Sequence, residues 1–361
     1  MRNIKIAILT FHRAINYGAI LQAYALQKAL IILGYDVEIL DYRNDLIEKS
    51  YYSPFGSSKK VKGIIKSLLY FNVQSARNKA FNHFRMNMKV SNKKYNRRNI
   101  SETSYDYYIT GSDQVWNLKC TNYDPVYFLN FVSSDKRVSY AASLGKYKDT
   151  IDSYDQFYGF LRDFKWISVR ENAGREFLKN KVDKNMCIDV DPTFLLKREE
   201  WDKLAKKSKL NDYVLIYSVN LNMDVLTVGR KIKKEKGKKL LILTLRNKPI
   251  KLHENEMLLQ KSSPEEFLGL IKDAYCVVTN SFHGTALSII FNSDFYLVKN
   301  SKEDLDNTRL DSLLEKFGLS DRIVESNSFE YKDSINYELV NERVNAEVQT
   351  SIDHLTKSIH K

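Results

Sequence analysis

The sequence predicts an α/β protein of two doubly wound domains that face one another across a central cleft. Three observations carry this expectation. Short apolar runs alternate with helix-patterned segments from Lys5 to Phe317, as in parallel sheets wrapped by helices. The alternation breaks at a charged stretch, Glu199 to Lys209, just after Pro192. Several strands also end in polar or glycine-bearing loops, where open α/β sheets bind ligands.

The chain has 361 residues, enough for two ordinary domains. It is 43% apolar and 12% aromatic, which suits packed cores. No apolar run approaches the roughly 18 residues of a membrane span. The N-terminus, MRNIKIAIL, is too short in its apolar part for a secretory signal and reads as a strand. Cys120, Cys187 and Cys276 are far apart, without metal-ligand or disulfide-framework spacing, and fit a reducing cytoplasm. The net charge of +13 suits anionic partners.

The first domain is expected over 1–195. KIAILT (Lys5–Thr10) is a buried strand. Leu21, Ala25, Leu26, Ala29, Leu30 and Leu33 then mark a helix face, with Gly34 as the C-cap. Tyr35 to Leu40 is a second strand. No GxGxxG follows the first, so dinucleotide binding is not indicated. Asn16, Tyr17 and Gly18 are either a turn with an N-cap or a small-ligand loop. Further strands are read at Tyr105–Thr110, Arg137–Ser143, Lys165–Glu171 and Asn185–Pro192. The second of these precedes no candidate group, but the first runs into Asp113 and Trp116, suited to a sugar hydroxyl and a stacking face. Arg170 ends the Lys165 strand, and is either a fork for a carboxylate or phosphate, or half of a surface ion pair with Glu171.

Residues 59–98 form a basic insertion, with lysines and arginines from Lys59 to Arg98, no Asp or Glu, and interleaved residues such as Phe71, Phe81 and Phe84. The block either packs on the domain or lies on an anionic membrane. It has no nucleic-acid recognition motif, and no nucleic-acid partner is expected.

The second domain is expected over 196–330, followed by a terminal helix at 331–361. Strands are read at Tyr213–Val219, Leu240–Leu245, Cys276–Thr279 and Ser293–Val298. Ser263-Pro264-Glu265-Glu266 is a helix start. The stretch VVTNSFHGTALSIIF (Val277–Phe291) reads as strand, tight loop and helix. Its helix N-terminus suits an anion, Gly284 permits close backbone approach, and His283 places a titratable group there. Arg309 is either a ligand contact or a solvated helix charge. Two such domains in succession give the GT-B type of architecture.

The strings NYGAILQAYAL (Asn16–Leu26), GSDQVWN (Gly111–Asn117), YAAS (Tyr140–Ser143), SVRE (Ser168–Glu171), DPTFLL (Asp191–Leu196) and TNSFHGTA (Thr279–Ala286) resemble the polysaccharide pyruvyl transferase family. The basic block and the terminal helix lie outside these strings. The resemblance implies a GT-B-like fold with Rossmann-like domains. It also implies transfer of pyruvate from phosphoenolpyruvate, a co-substrate, to two sugar hydroxyls as a ketal, with release of phosphate and no cofactor or metal. The acceptor expected is a capsule, exopolysaccharide or cell-wall glycan precursor, lipid-diphosphate-linked, met in the cytoplasm at the inner face of the membrane. By motif, His283 is the active-site histidine and Arg170 the donor-binding arginine. Ser281, Gly284, Thr285 and Arg309 join them on the donor side. Ser281 stands where some members carry Arg, so donor charge must be met elsewhere. Asn16, Tyr17, Gly18, Asp113 and Trp116 are expected on the acceptor side, Asp113 as the base. Two other readings stay open: a nucleotide-sugar glycosyltransferase of the same architecture, for which no nucleotide carboxylate motif is seen, and a non-catalytic binding protein.

Overall fold

A computed structural model describes residues 4–52, 61–145, 155–219, 221–245, 249–299 and 307–360. The first half runs β1 (Lys5–Leu9), α1 (Tyr17–Ile32), β2 (Asp36–Tyr42), α2 (Asp45–Tyr52), α3 (Val61–Arg85), β3 (Val90–Tyr95), β4 (Tyr107–Gly111) and α4 (Leu118–Thr121). It continues through β5 (Arg137–Tyr140), α5 (Asp155–Arg162), β6 (Ile167–Val169), α6 (Asn172–Lys179) and β7 (Met186–Ile188). After α7 (Arg198–Leu204) come β8 (Tyr213–Tyr217), α8 (Met223–Lys236), β9 (Lys239–Leu243), β10 (Glu256–Leu259) and α9 (Pro264–Lys272). The chain closes with β11 (Cys276–Thr279), α10 (Phe282–Phe291), β12 (Phe295–Val298), α11 (Asn307–Phe317), β13 (Ile323–Val324) and α12 (Tyr337–His360).

Two parallel sheets result. The first has the order β3-β2-β1-β4-β5, and bridges from Val138 to Trp166 and Ala142 to Val169 carry it on to β6 and β7. The second has the order β10-β9-β8-β11-β12-β13. Both repeat the doubly wound order in which the chain returns to the sheet's middle and then builds outward. The switch points lie between β1 and β4, and between β8 and β11. Their carboxyl ends carry loops 10–16 and 112–117 in one domain and loop 280–281 in the other.

Helices α1 and α10 follow the switch-point strands, and both are buried on nearly every side, as helices apolar all round must be. They pack against one another at the domain junction. Beside them Tyr17 stacks on Phe267 of α9, with ring centroids 4.4 Å apart, and lies 5.1 Å from Phe81 of α3. The domains therefore share a continuous apolar core.

The basic block folds as helix α3, in keeping with a basic amphipathic helix, and as strand β3, which its charge pattern does not announce. Phe81 and Phe84 are fully buried, and Arg77 donates to the carbonyls of Thr244, Leu245 and Gln260 in the other domain. Charges the sequence leaves unmatched find acids from elsewhere: Lys89 with Asp36, Lys93 with Glu102 and Arg97 with Asp124. So part of the block packs and pairs within the protein, while Phe71 remains exposed. Lys59 and Lys60 lie outside the described residues, as do the side chains of 61–69. No described helix is long and apolar enough to cross a membrane. Helix α12 returns to the first domain, where His354 Nδ1 lies 2.7 Å from Asp189 Oδ1 and the Ser351 hydroxyl accepts from Val190 N–H.

Candidate active site

The start of α10 is built by its own side chains. Ser281 is the N-cap, and its hydroxyl accepts from Gly284 N–H at 3.4 Å. The buried Thr285 hydroxyl donates to the Ser281 carbonyl. Gly284 is needed for packing, because a Cβ there would lie 2.5 Å from Thr279 Oγ1 and 2.8 Å from the Tyr217 ring. These three residues, expected on the donor, are engaged in holding the helix against its sheet.

His283 points the other way. It is 7% exposed, and its ring lies against Gly18, where a Cβ would fall 2.0 Å from Nδ1. Its Nε2 sits 3.5 Å from Asp191 Oδ2 and makes no hydrogen bond. Gly18 and Asp191 belong to the first domain and His283 to the second, so the site forms only where the domains meet.

Asp191 organises the rest. The 3-10 turn Pro192–Leu195 begins there, and Oδ1 accepts from Thr193 N–H and Oγ1. Its Oδ2 accepts from Ser112 Oγ and from Arg170 Nη1, both at 2.8 Å. Burial opposes ionisation, but His283 and Arg170 outweigh it and hold the Asp191 carboxyl well below its ordinary range. For Arg170, burial likewise opposes the charge, and Asp191, Glu171 and Asp113 more than restore it. The pair is ionised and buried, a setting in which loss of one partner typically costs about 3–5 kcal/mol.

Arg170 keeps unused donors. The guanidinium lies over the Phe282 ring, 4.2 Å from its centroid, and Nη2 has no hydrogen-bond partner. Glu171 is no surface partner: it is buried, 3.6 Å from Arg170 Nε, and accepts from Ser143 Oγ. Arg170, Asn172, Asp191, Phe282 and Arg309 line a cavity of about 370 Å³. Arg309 is buried, and its two terminal nitrogens lie 3.2 Å from the Gln114 amide across the domain boundary.

The acceptor-side residues divide. Asn16 is the N-cap of α1, accepting from Gly18 and Ala19 N–H. Tyr17 is fully buried between the domains, its hydroxyl donating to the Ser262 carbonyl. Trp116 is fully buried too, stacked on Phe128 with Nε1–H donating to the Tyr127 carbonyl. Neither ring is open to a sugar, which corrects both expectations: each is wide enough to fill a core and finds its polar partner there. Asp113 is partly exposed in a left-handed turn (φ 64°), and its Oδ1 accepts from Gln114 N–H.

Asp191, Ser112 and Gln114 were not singled out from sequence. Asp191 stood in a quoted string, but the proline after it read as a boundary; an acid ending a strand was the available signal. Among the described residues, no group of three His, Cys, Asp or Glu side chains is placed to hold a metal.

The fold and the interdomain site define a GT-B-type protein. Among solved structures the chain resembles a Methanocaldococcus jannaschii UDP-GlcNAc 2-epimerase in complex with UDP-GlcNAc and UDP, at 12% identity over 96% of this chain and 93% of that one, TM-score 0.52. It also resembles an alpha-glucosyltransferase in complex with UDP and DNA, at 10% identity over 99% and 95%, TM-score 0.52. Such distant likeness bears on the fold alone. The family model for polysaccharide pyruvyl transferase matches residues 16–301, and the chain belongs to that family. The match runs through the basic block and stops short of Arg309. No curated protein sequence matches.

Proposed function

We propose that this chain transfers the pyruvyl group of phosphoenolpyruvate to two hydroxyls of a sugar, forming a ketal and releasing phosphate. The observation that supports it most is Arg170: a buried guanidinium, fixed on one side by Asp191, with Nη2 lacking a hydrogen-bond partner, on a residue that lines a small cavity together with Arg309. Such a fork suits a planar carboxylate or a phosphate, and the donor carries both. Phe282 gives the donor's methylene an apolar wall.

The chemistry balances as follows. A proton goes to the methylene carbon, and C2 becomes electrophilic. One sugar hydroxyl adds and loses its proton. The bond from C2 to the phosphate oxygen breaks, and the second hydroxyl closes the ring, its proton leaving with phosphate. His283, whose Nε2 lies 3.5 Å from the cavity-lining Asp191, is assigned as general acid or phosphate partner. Asp113, partly exposed, is the proposed base on the acceptor side. The proposed acceptor is a capsule, exopolysaccharide or cell-wall glycan precursor, lipid-diphosphate-linked and met at the inner face of the membrane.

The test is calorimetric binding of phosphoenolpyruvate to wild type and Arg170→Ala, with mass analysis of the product. The expected result is donor binding weakened about 30-fold or more in the variant, the scale of a lost charged hydrogen bond, and a product heavier by pyruvate with no added sugar. Tight nucleotide-sugar binding with a product heavier by a hexose would instead move the chain to glycosyl transfer.

A further inference from the structure

We infer that Asp191 is the positioning residue of this site: one buried carboxylate that aims Arg170 and faces His283 across the domain boundary, so that donor site and general acid are completed together. This rests on the pyruvyl-transfer reading above.

The geometry leaves Asp191 little freedom. Oδ1 is fixed by Thr193 N–H and Oγ1, and Oδ2 by Ser112 Oγ. Held on both oxygens, the carboxylate cannot turn to follow its partners, so the partners must come to it. Arg170 does so through Nη1 at 2.8 Å, with its guanidinium over the Phe282 ring and Nη2 left without a hydrogen-bond partner. His283 does so only partly. At 3.5 Å its Nε2 is too far for a good hydrogen bond yet close enough to feel the charge. The carboxylate thus faces the Nε2 edge of His283 without a good hydrogen bond to it. Asp191 thus differs from an ordinary salt-bridge partner, which would take both donors for itself.

The other charged or titratable groups around it are Glu171 beside Arg170, Asp113 after β4, Tyr140 on β5, Asp189 just after β7 and Arg309 on α11. Replacing Asp191 by a neutral amide leaves the Arg170 guanidinium without the carboxylate that aims it.

The experiment measures phosphoenolpyruvate affinity and kcat in full-length wild type, Asp191→Asn, Arg170→Ala and the double variant, with thermal unfolding as the folding control. We expect Asp191→Asn to weaken donor binding about tenfold or more and to lower kcat. In the Arg170→Ala background its effect on donor affinity should largely vanish, whereas a merely structural role gives equal penalties in both backgrounds. If Asp191→Asn does not fold, Ser112→Ala, which removes one of the two donors to Oδ2 while keeping the charge, should show a smaller loss of donor affinity. Unchanged affinity in Asp191→Asn, or wild-type affinity in Ser112→Ala where the first variant fails to fold, would overturn the inference. A wild type that neither binds phosphoenolpyruvate nor releases phosphate from it strikes the functional reading instead.

Discussion

Gly18 and His283 show how one missing side chain shapes the site. The imidazole occupies the place a Cβ at position 18 would take. Gly18→Ala should therefore displace the ring, and a shift of about 1 Å at a reacting group can cost roughly 100-fold in rate. Overpacking this buried junction should also cost about 1–3 kcal/mol of stability, partly offset by the better helix propensity of alanine. Activity assays beside thermal unfolding separate the two effects; full activity in this variant would show that the ring is not held where the structure places it. At this scale the sequence was informative about chemistry and poor about direction. His283 and Arg170 could be singled out because each follows a buried strand just where a helix begins, the place open α/β sheets use for ligands. Tyr17 and Trp116 were misread as ligand contacts because a large aromatic with a polar handle looks alike in a core and in a sugar site. Asp191 was overlooked because its partners lie 21 and 92 positions away by number, at Arg170 and His283, and nothing local marks such a meeting.

Among the elements, α1 and α10 carry the assembly. Each follows a switch-point strand, each is capped by a short polar side chain, and their N-terminal turns meet at Gly18 and His283. Helix α9 supports that meeting by stacking Phe267 on Tyr17. Its start was readable from Ser263-Pro264-Glu265-Glu266, and the structure shows the reciprocal capping box, Ser263 N–H to Glu266 and Glu266 N–H to the Ser263 hydroxyl. Ser263→Ala should lower unfolding free energy by about 1 kcal/mol, read from urea titration; no change would mean the box contributes nothing. Strands β3 and β10 escaped sequence reading for opposite reasons. VSNKKY is too basic to suggest a strand, and EMLL is too short to separate from the loop before it.

For the whole molecule, the question is what keeps the two domains in register. The shared core around Tyr17, Phe81 and Phe267 does part of this, and Arg77 fastens α3 to the ends of β9 and β10. Arg77→Ala removes a shared donor from three carbonyls. It should cost about 2–4 kcal/mol of stability and raise the radius of gyration measured by small-angle scattering. An unchanged unfolding midpoint and scattering curve would assign the junction to the apolar core alone. The two-domain plan was legible because alternating strands and helices write it along the chain. The basic block was not, since a charge run gives no hint of the acids that tertiary folding brings beside it, such as Asp36 and Glu102. Vesicle flotation with neutral and anionic lipid tests the membrane contact expected of this block, and equal recovery with both would count against it.

The central claim is that this interdomain site moves a pyruvyl group. Phosphate release from phosphoenolpyruvate tests it most directly, with lipid-linked and synthetic glycan acceptors, for wild type and His283→Ala. The account predicts release that depends on an acceptor and falls by about 100-fold or more in the variant, the usual scale of a lost acid–base group. Near-normal release by His283→Ala, or a wild type that binds nucleotide sugars tightly and leaves phosphoenolpyruvate untouched, would contradict it.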